Sequence, residues 1–299
     1  MLPKVFIIIL NWNNWPDVLE CLESLKNNDY HNYQVVIIDN GSKEKPQAPN
    51  LEIKIIYNKE NLGFSGGNNV GIKYAIEKGA DYVLLLNDDT LVSRDFLSKL
   101  VKAGESNKNF GLLGPKIYFA DQKEKIWFAG GQVNWLYNKG TMRGYGEIDK
   151  GQYDFPGIQK TDYITGCCLL IKREVIKKIG LIPEDYFLYY EDTDWSLAGQ
   201  RAGFKCIFVP AAKIWHKGSK SSQEFSIPYI YYHIRNGLIF ADKYAPWHLK
   251  PLIHLDVIWR IIKQLIKLLI PSKRKLIKPI LWGIKDFYLN KKGKNENWY

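Results

Sequence analysis

Three groups of side chains in this chain are equipped for chemistry. Asn87, Asp88 and Asp89 end the apolar run YVLLL, Glu191, Asp192 and Asp194 stand together about a hundred residues later, and His216 closes the run AKIW. Neighbouring carboxylates after an apolar run are ordinary at a turn, where Asn and Asp are common. They also offer hard oxygen ligands to Mg2+ or Mn2+, which take few protein ligands and complete their shell with phosphate oxygens and water. Asp89 is the candidate ligand. His216 either packs as a hydrogen-bonded core residue or, as an imidazole, shares a Mn2+ site. The second acidic group fits the first turn of a helix, where carboxylates complement the dipole. That dipole lowers a carboxylate pKa and nearby phosphates raise it, so an acid between them is suited to be a general base.

Two other readings fail on chemistry or position. NLGFSGGNN reads as a phosphate cradle leading into a helix. It matches neither GxGxxG nor GxxxxGK[ST], and it follows the third strand, whereas a dinucleotide fingerprint follows the first. NDDT lies close to the DxDxT of aspartate-nucleophile phosphatases, but Asn87 holds the nucleophile's place and cannot form an acyl phosphate.

The elements that must position these groups are legible as hydrophobic patterns. Residues 5–10 form a short, continuous apolar run of buried-strand type. After it, Pro16 suits the first turn of a helix in which Val18, Leu19, Leu22 and Leu25 recur at helical spacing. QVVIIDNGS predicts a second strand ending at Asp39, LEIKIIYN a third ending at Asn58, and SGGNNVGIKYAIEKG a glycine-rich loop entering a helix. Strands that alternate with helices and are apolar on both faces predict a mostly parallel, Rossmann-like α/β sheet covered by helices on both sides. Ligands bind such sheets beyond the carboxyl ends of the strands. Asn11, Asp39, Asn58 and the Asn87–Asp89 group all fall there. Downstream, TGCCLLIKREVIKKIG predicts a strand running into a helix closed by Gly180. The acids of FLYYEDTDWSLAGQRAGF open a helix, and KCIFVP and AKIWH read as two further strands.

Composition bounds the class. The chain has 299 residues, 46% hydrophobic and 24% charged, as in a globular protein with a full core. Four cysteines fit neither a disulfide nor a zinc pattern, which points to a reducing cytosol. The first apolar run is too short for a signal peptide or a membrane span. The net charge of +11 is uneven: residues 250–299 hold twelve Lys or Arg against three acids, a net +9. A nucleic-acid reader carries its basic footprint on the folded domain, so no nucleic-acid partner is expected.

The segments NWNN, VVIIDNGS, NLGFSGGNNVGI, LLLNDDT, TGCCLLIKREV, FLYYEDTDW and IWHKGS, in that order, resemble the family 2 inverting glycosyltransferases of the GT-A fold, and most of all their rhamnosyltransferase-like branch. The resemblance covers about residues 3–240. It implies that Asn11 and Asp39 hold the nucleotide base and ribose, and that Asn68 or Asn69 lies near the donor. It also implies that Asn87, Asp88 and Asp89 correspond to the DxD motif, with Asp89 on Mn2+ or Mg2+, although Asn87 replaces that motif's first Asp. Asp192 corresponds to the catalytic base, beside Glu191, and His216 to the late histidine that helps hold metal and diphosphate. Trp195, one turn beyond Glu191, is placed either to stack on an acceptor sugar or to pack in the core.

The expected organisation is a catalytic domain at 1–245, with a nucleotide-binding half at 1–100 and an acceptor-binding half at 101–245, then a basic helical region at 246–299. In DVIWRIIKQLIKLLI, Arg260, Lys263, Gln264 and Lys267 form one polar stripe on an otherwise apolar helix. Such a helix suits an anionic membrane surface, and a homodimer contact or docking on the catalytic domain is the alternative. The expected activity is metal-dependent transfer of rhamnose or a hexose from a nucleotide-sugar to a lipid-linked or polysaccharide acceptor, at the inner face of the cell membrane. A sugar-1-phosphate nucleotidyltransferase uses a similar sheet, but LNWNNWPDV lacks that class's GxGTRLxPxTxxxPK segment. An inactive saccharide-binding scaffold is disfavoured by the intact acidic groups.

Overall fold

The computed structural model describes residues 2–44, 53–136, 139–218, 226–268 and 270–296, with backbone alone for 271–273. The chain opens with β1 (Val5–Asn11), α1 (Trp15–Lys26), β2 (Tyr33–Asp39), β3 (Lys54–Tyr57), α2 (Gly63–Glu77) and β4 (Tyr82–Asn87). Next come β5 (Thr90–Val92), α3 (Phe96–Glu105), β6 (Phe110–Phe119), β7 (Ile126–Phe128), β8 (Gly131–Asn134), β9 (Lys139–Met142) and β10 (Gln159–Thr161). The chain then runs through β11 (Cys168–Lys172), α4 (Arg173–Ile179), α5 (Glu191–Arg201) and β12 (Lys205–His216) to α6 (Ile227–Tyr244), α7 (Lys250–Lys267) and α8 (Ile277–Tyr288).

The main sheet has the order β10-β12-β6-β11-β4-β1-β2-β3, with β5 beside β12 and β7 beside β6. β3, β2, β1 and β4 are parallel neighbours, and β12 runs parallel to β6. β11 is the antiparallel link between β4 and β6. Every residue from Val5 to Ile9 and from Tyr82 to Leu86 is buried. Successive strand residues point to opposite faces, so both faces are covered there. α2 lies against the parallel half, α3, α4 and α5 against the other, and α1 against β5 and β1. α1 carries Pro16 in its first turn and buries Val18, Cys21, Leu22 and Leu25, the predicted face.

Two local expectations change. The glycine-rich segment is helix, not loop: α2 begins at Gly63. A Cβ at Gly67 would come within 2.4 Å of the Leu10 side chain, and one at Gly71 within 2.6 Å of Ile8. The glycines let α2 lie close on β1. Its first two amides are already used, Gly63 N by Asn61 Oδ1 and Phe64 N by the Phe187 carbonyl, which leaves fewer donors for a phosphate. The two strands expected around Pro210 are one, β12, with a register shift between Val209 and Lys213 that accommodates the missing proline N–H.

The C-terminal helices are packed, not appended. Ile280 and Ile284 of α8 lie against Leu238, Ala241 and Ala245. The segment after α8 returns to the catalytic half, where Gly293 N donates to the Asp185 carbonyl at 2.8 Å. α7 buries Ile253, Val257 and Gln264, so part of the polar stripe faces inward. On its opposite side Leu255, Ile258, Trp259, Ile262 and Ile266 are exposed. No described helix is long and apolar enough to cross a membrane. The four cysteines are free and buried.

Candidate active site

Parallel pairing places Asn11 of β1 beside Asp39 of β2 at the carboxyl edge of the sheet. Asn11 is fully buried and accepts from Asn14 N at 3.0 Å. Asp39 Oδ1 accepts from Ser42 N at 2.8 Å, while its buried Oδ2 has no partner among the described residues. Asn40, not singled out from sequence, binds Asn58, Asn61 and Leu62 and so shapes the neighbouring loop.

The acidic tip follows β4. Asn87 N donates to the Cys167 carbonyl at 2.9 Å, and Thr90 Oγ1 closes the turn on the Asn87 carbonyl at 2.8 Å. Asp88 accepts from Asn14 Nδ2 at 3.3 Å, and burial with Asp89 alongside pushes its carboxyl up to about 8. Pairing of β5 with β12 sets His216 opposite Thr90, and His216 Nε2 lies 3.1 Å from Asp89 Oδ1. The pair is close but not aligned as a hydrogen bond. Both Asp89 oxygens and both His216 nitrogens lack hydrogen-bond partners among the described residues. Leaving such buried groups unsatisfied costs roughly 1–3 kcal/mol each. A divalent cation would satisfy them: a carboxylate and an imidazole fit Mn2+, or Mg2+ through the carboxylate. No group of three or more His, Cys, Asp or Glu suited to a metal occurs among the described residues, so phosphate oxygens or water would complete the shell. Trp127, missed in the sequence, packs edge-on against the His216 ring at 4.6 Å between centroids.

The second acidic group opens α5. Tyr189 and Tyr190 take left-handed backbone with φ of 70° and 75°, which turns the chain sharply into the helix. Asn236 of α6 holds this turn through the Leu188 and Tyr189 carbonyls. Asp192 is partly exposed. Its Oδ2 accepts from Gly166 N at 2.8 Å, and its Oδ1 from the Thr193 amide and hydroxyl at 2.6 and 3.0 Å. Burial raises its pKa against the pull of those donors. Glu191 is buried, with one carboxylate oxygen unpartnered, and its pKa lies well above the usual range from burial and then from Asp192. Gly166 N holds Asp192 and the next residue's carbonyl, Cys167 O, takes Asn87 N, so both acidic groups attach to adjacent residues of one loop.

Other expected residues sit elsewhere. Trp195 is buried with Nε1 donating to the Gly180 carbonyl at 3.1 Å, so it packs in the core and cannot stack on an acceptor. Asn69 is buried and bound to Ile182 and Glu184, locking α2 to that segment instead of facing a donor. Asn68 is buried as well and donates to the Phe64 carbonyl one turn back. Asp194 is fully buried and accepts from Tyr186, Lys243 and Tyr244, a structural role. The segment 219–225 that follows His216 and Gly218 lies outside the described residues.

The sheet has the GT-A fold of the glycosyltransferases. The chain belongs to glycosyl transferase family 2, whose model matches residues 6–180. It is 24% identical over 251 residues to the dTDP-rhamnosyl transferase RfbF of Shigella flexneri, covering 80% of each chain. To the N-acetylglucosaminyl-diphospho-decaprenol L-rhamnosyltransferase of Mycobacterium tuberculosis it is 24% identical over 270 residues, covering 82% of this chain and 87% of the other. Among solved structures, the mannosyltransferase PcManGT from Pyrobaculum calidifontis in complex with GDP-Man and Mn2+ aligns with a TM-score of 0.60 and 15% identity, covering 98% of this chain and 89% of that one. GalNAc-T7 with UDP, GalNAc and Mn2+ aligns with a TM-score of 0.64 and 16% identity, covering 98% of this chain but 56% of that longer one.

Proposed function

We propose that this glycosyltransferase moves rhamnose or another hexose, with inversion, from a nucleoside-diphosphate donor to a saccharide carried on a lipid or growing polysaccharide. The observation that carries the mechanism is the tie between Asp192 and Gly166, one residue before the carbonyl that receives Asn87 N. It sets a partly exposed carboxylate beside the acidic tip. Asn11 and Asp39 receive the base and ribose, and Asp89 with His216 would hold Mn2+ or Mg2+. A bound divalent ion supplies positive charge that offsets the negative charge growing on the departing diphosphate.

Asp192 accepts the proton of an acceptor hydroxyl. The hydroxyl's oxygen, not the carboxylate, forms a bond to the anomeric carbon from the face opposite the donor phosphate as the carbon–oxygen bond to that phosphate breaks. The bonding pair leaves with the diphosphate, and the configuration inverts. A base with a raised pKa is a better proton acceptor, provided it is ionised at working pH. A single base suffices, unlike the paired carboxylates of a glycosidase.

The relatives' names favour a rhamnosyl donor and a lipid-diphosphate acceptor. The exposed apolar side of α7 favours a lipid surface, and with it peripheral attachment at the inner face of the membrane. Incubation with dTDP-rhamnose, UDP-hexoses and GDP-mannose, with Mn2+ and a lipid-linked saccharide, tests the reading. Inverted anomeric configuration in the product, read by NMR, is expected. Release of pyrophosphate from a nucleoside triphosphate and a sugar-1-phosphate would assign the nucleotidyltransferase reaction instead.

A further inference from the structure

α6, α8 and the segment after α8 line a pocket of about 540 Å³ that shares no side chain with the strand-tip site. Five cationic side chains line it: Arg235, Lys285, Lys291, Lys292 and Lys294. Only two carboxylates, Asp286 and Glu296, share the wall. Asp286 is already engaged, accepting from Tyr231 OH at 2.8 Å and lying 3.4 Å from Lys291 Nζ. The remaining lysine pairs, Lys292 with Asp185 and Lys294 with Glu60 and Glu296, are partly exposed and so worth little in water.

Arg235 makes the pocket more than a patch of surface lysines. It is 1% exposed, and no carboxylate pairs with it among the described residues. Its Nε donates to Asn236 Oδ1 at 2.9 Å and its Nη1 to Tyr231 OH at 3.2 Å, while buried Nη2 has no partner among the described residues. The guanidinium sits over the rings of Tyr231 and Tyr232, at 5.2 and 5.0 Å from their centroids. A buried cation with an unused donor is costly unless an anion compensates it. A fixed guanidinium fork with mobile ammonium groups around it matches the oxygens of a phosphate ester.

We propose that this pocket binds a phosphate or diphosphate group through side chains other than those assigned to the nucleotide-sugar. The group can come from a lipid headgroup or from a free phosphate ester. Asn236, adjacent to Arg235, holds the turn before Asp192, so an occupant here would contact the element that supports the base. The proposal does not rest on the transferase reading.

Inorganic pyrophosphate titrated calorimetrically into the full chain in EDTA tests it. Binding of one equivalent is expected, unchanged in Asp89→Ala. It should weaken by about tenfold or more in Lys285→Glu/Lys292→Glu, which alters only exposed positions. Arg235→Lys, which keeps the charge and loses the fork, should also weaken it while thermal unfolding confirms the fold. No binding by the unmodified chain, or equal binding by the lysine variant, overturns the proposal. Once binding is seen, phosphatidylglycerol vesicles identify the source. Displacement from the vesicles by pyrophosphate assigns a headgroup, and vesicle binding indifferent to pyrophosphate assigns a free phosphate ester.

Discussion

Gly166 donates its backbone amide to Asp192 Oδ2 across 2.8 Å, joining the loop before β11 to the first turn of α5. Position 166 is closely bounded. A Cβ there would meet the Phe64 ring at 2.7 Å and the Asp192 Cβ at 3.6 Å. Gly166→Ala is therefore expected to push the loop from Phe64 and displace the amide that aims the carboxylate. Overpacking of this kind costs roughly 1–3 kcal/mol in stability, and a misaimed base can cost about a hundredfold in turnover. Thermal unfolding with single-turnover kinetics checks both. A stable variant with full activity would show that the Gly166 bond does not position the base.

Asp192→Asn keeps the shape and removes the proton acceptor. Donor affinity should hold while turnover falls by roughly a hundred- to ten-thousand-fold. The unmodified enzyme should lose activity on acidification at a pH above the ordinary aspartate range, because burial raises the Asp192 pKa and only the ionised form accepts a proton. A Glu191→Gln loss far exceeding that of Asp192→Asn would move the base to Glu191.

Glu191 makes a separate prediction for stability. Its folded pKa is raised, so below its ordinary value of 4.5 both states are protonated. Above that pH the unfolded chain releases its proton while the folded chain retains it, and stability falls as pH rises. Glu191→Gln removes this term. The variant's melting temperature should rise relative to the unmodified chain near neutral pH, and the difference should shrink towards pH 4. A difference that does not vary with pH would show that Glu191 is ionised in the fold.

Much of this architecture was written in short-range pattern. β1, β2 and β4 are apolar runs that end in Asn11, Asp39 and Asn87, so the strands and their polar tips are visible together. The Gly166–Asp192 bond joins residues 26 apart and depends on α5 docking, which no local pattern encodes. Asp89 and His216 meet only because β5 folds back onto β12, and a three-residue strand leaves almost no periodic signal. Gly67 serves close helix–sheet contact, and in sequence such a glycine looks the same as one needed near phosphate. Trp195 is ambiguous in sequence because helical spacing does not reveal which side of α5 faces the core.

Asp89→Ala should abolish transfer and weaken donor binding chiefly when Mn2+ is present. His216→Ala should act in the same direction with a smaller loss, since the carboxylate carries the charge. Donor binding by calorimetry with and without Mn2+ separates the cases. An equal loss in both conditions would remove the metal from the account of Asp89, leaving its buried, unpartnered oxygens without a cation to satisfy them.

On α7, Leu255, Ile258, Trp259, Ile262 and Ile266 recur at i, i+3, i+4, i+7 and i+11, opposite the buried Ile253, Val257 and Gln264. Lys263 borders this face, its Nζ 5.0 Å from the Trp259 ring centroid. Fully burying one such side chain is worth roughly 1.5–3 kcal/mol, and each basic residue near an anionic surface adds about 1 kcal/mol. Deleting the helices is a poor test, because α8 packs on α6 and its loss would uncover that core. Ile262→Asp/Ile266→Asp alters exposed positions alone and should release the chain from phosphatidylglycerol vesicles while a soluble acceptor is still glycosylated. High salt should weaken vesicle binding without abolishing it, since screening removes the lysine contribution and leaves the apolar one. If the unmodified chain ignores vesicles but sediments as a dimer that the aspartate substitutions split, the face belongs to a second copy of this chain and the lipid reading falls.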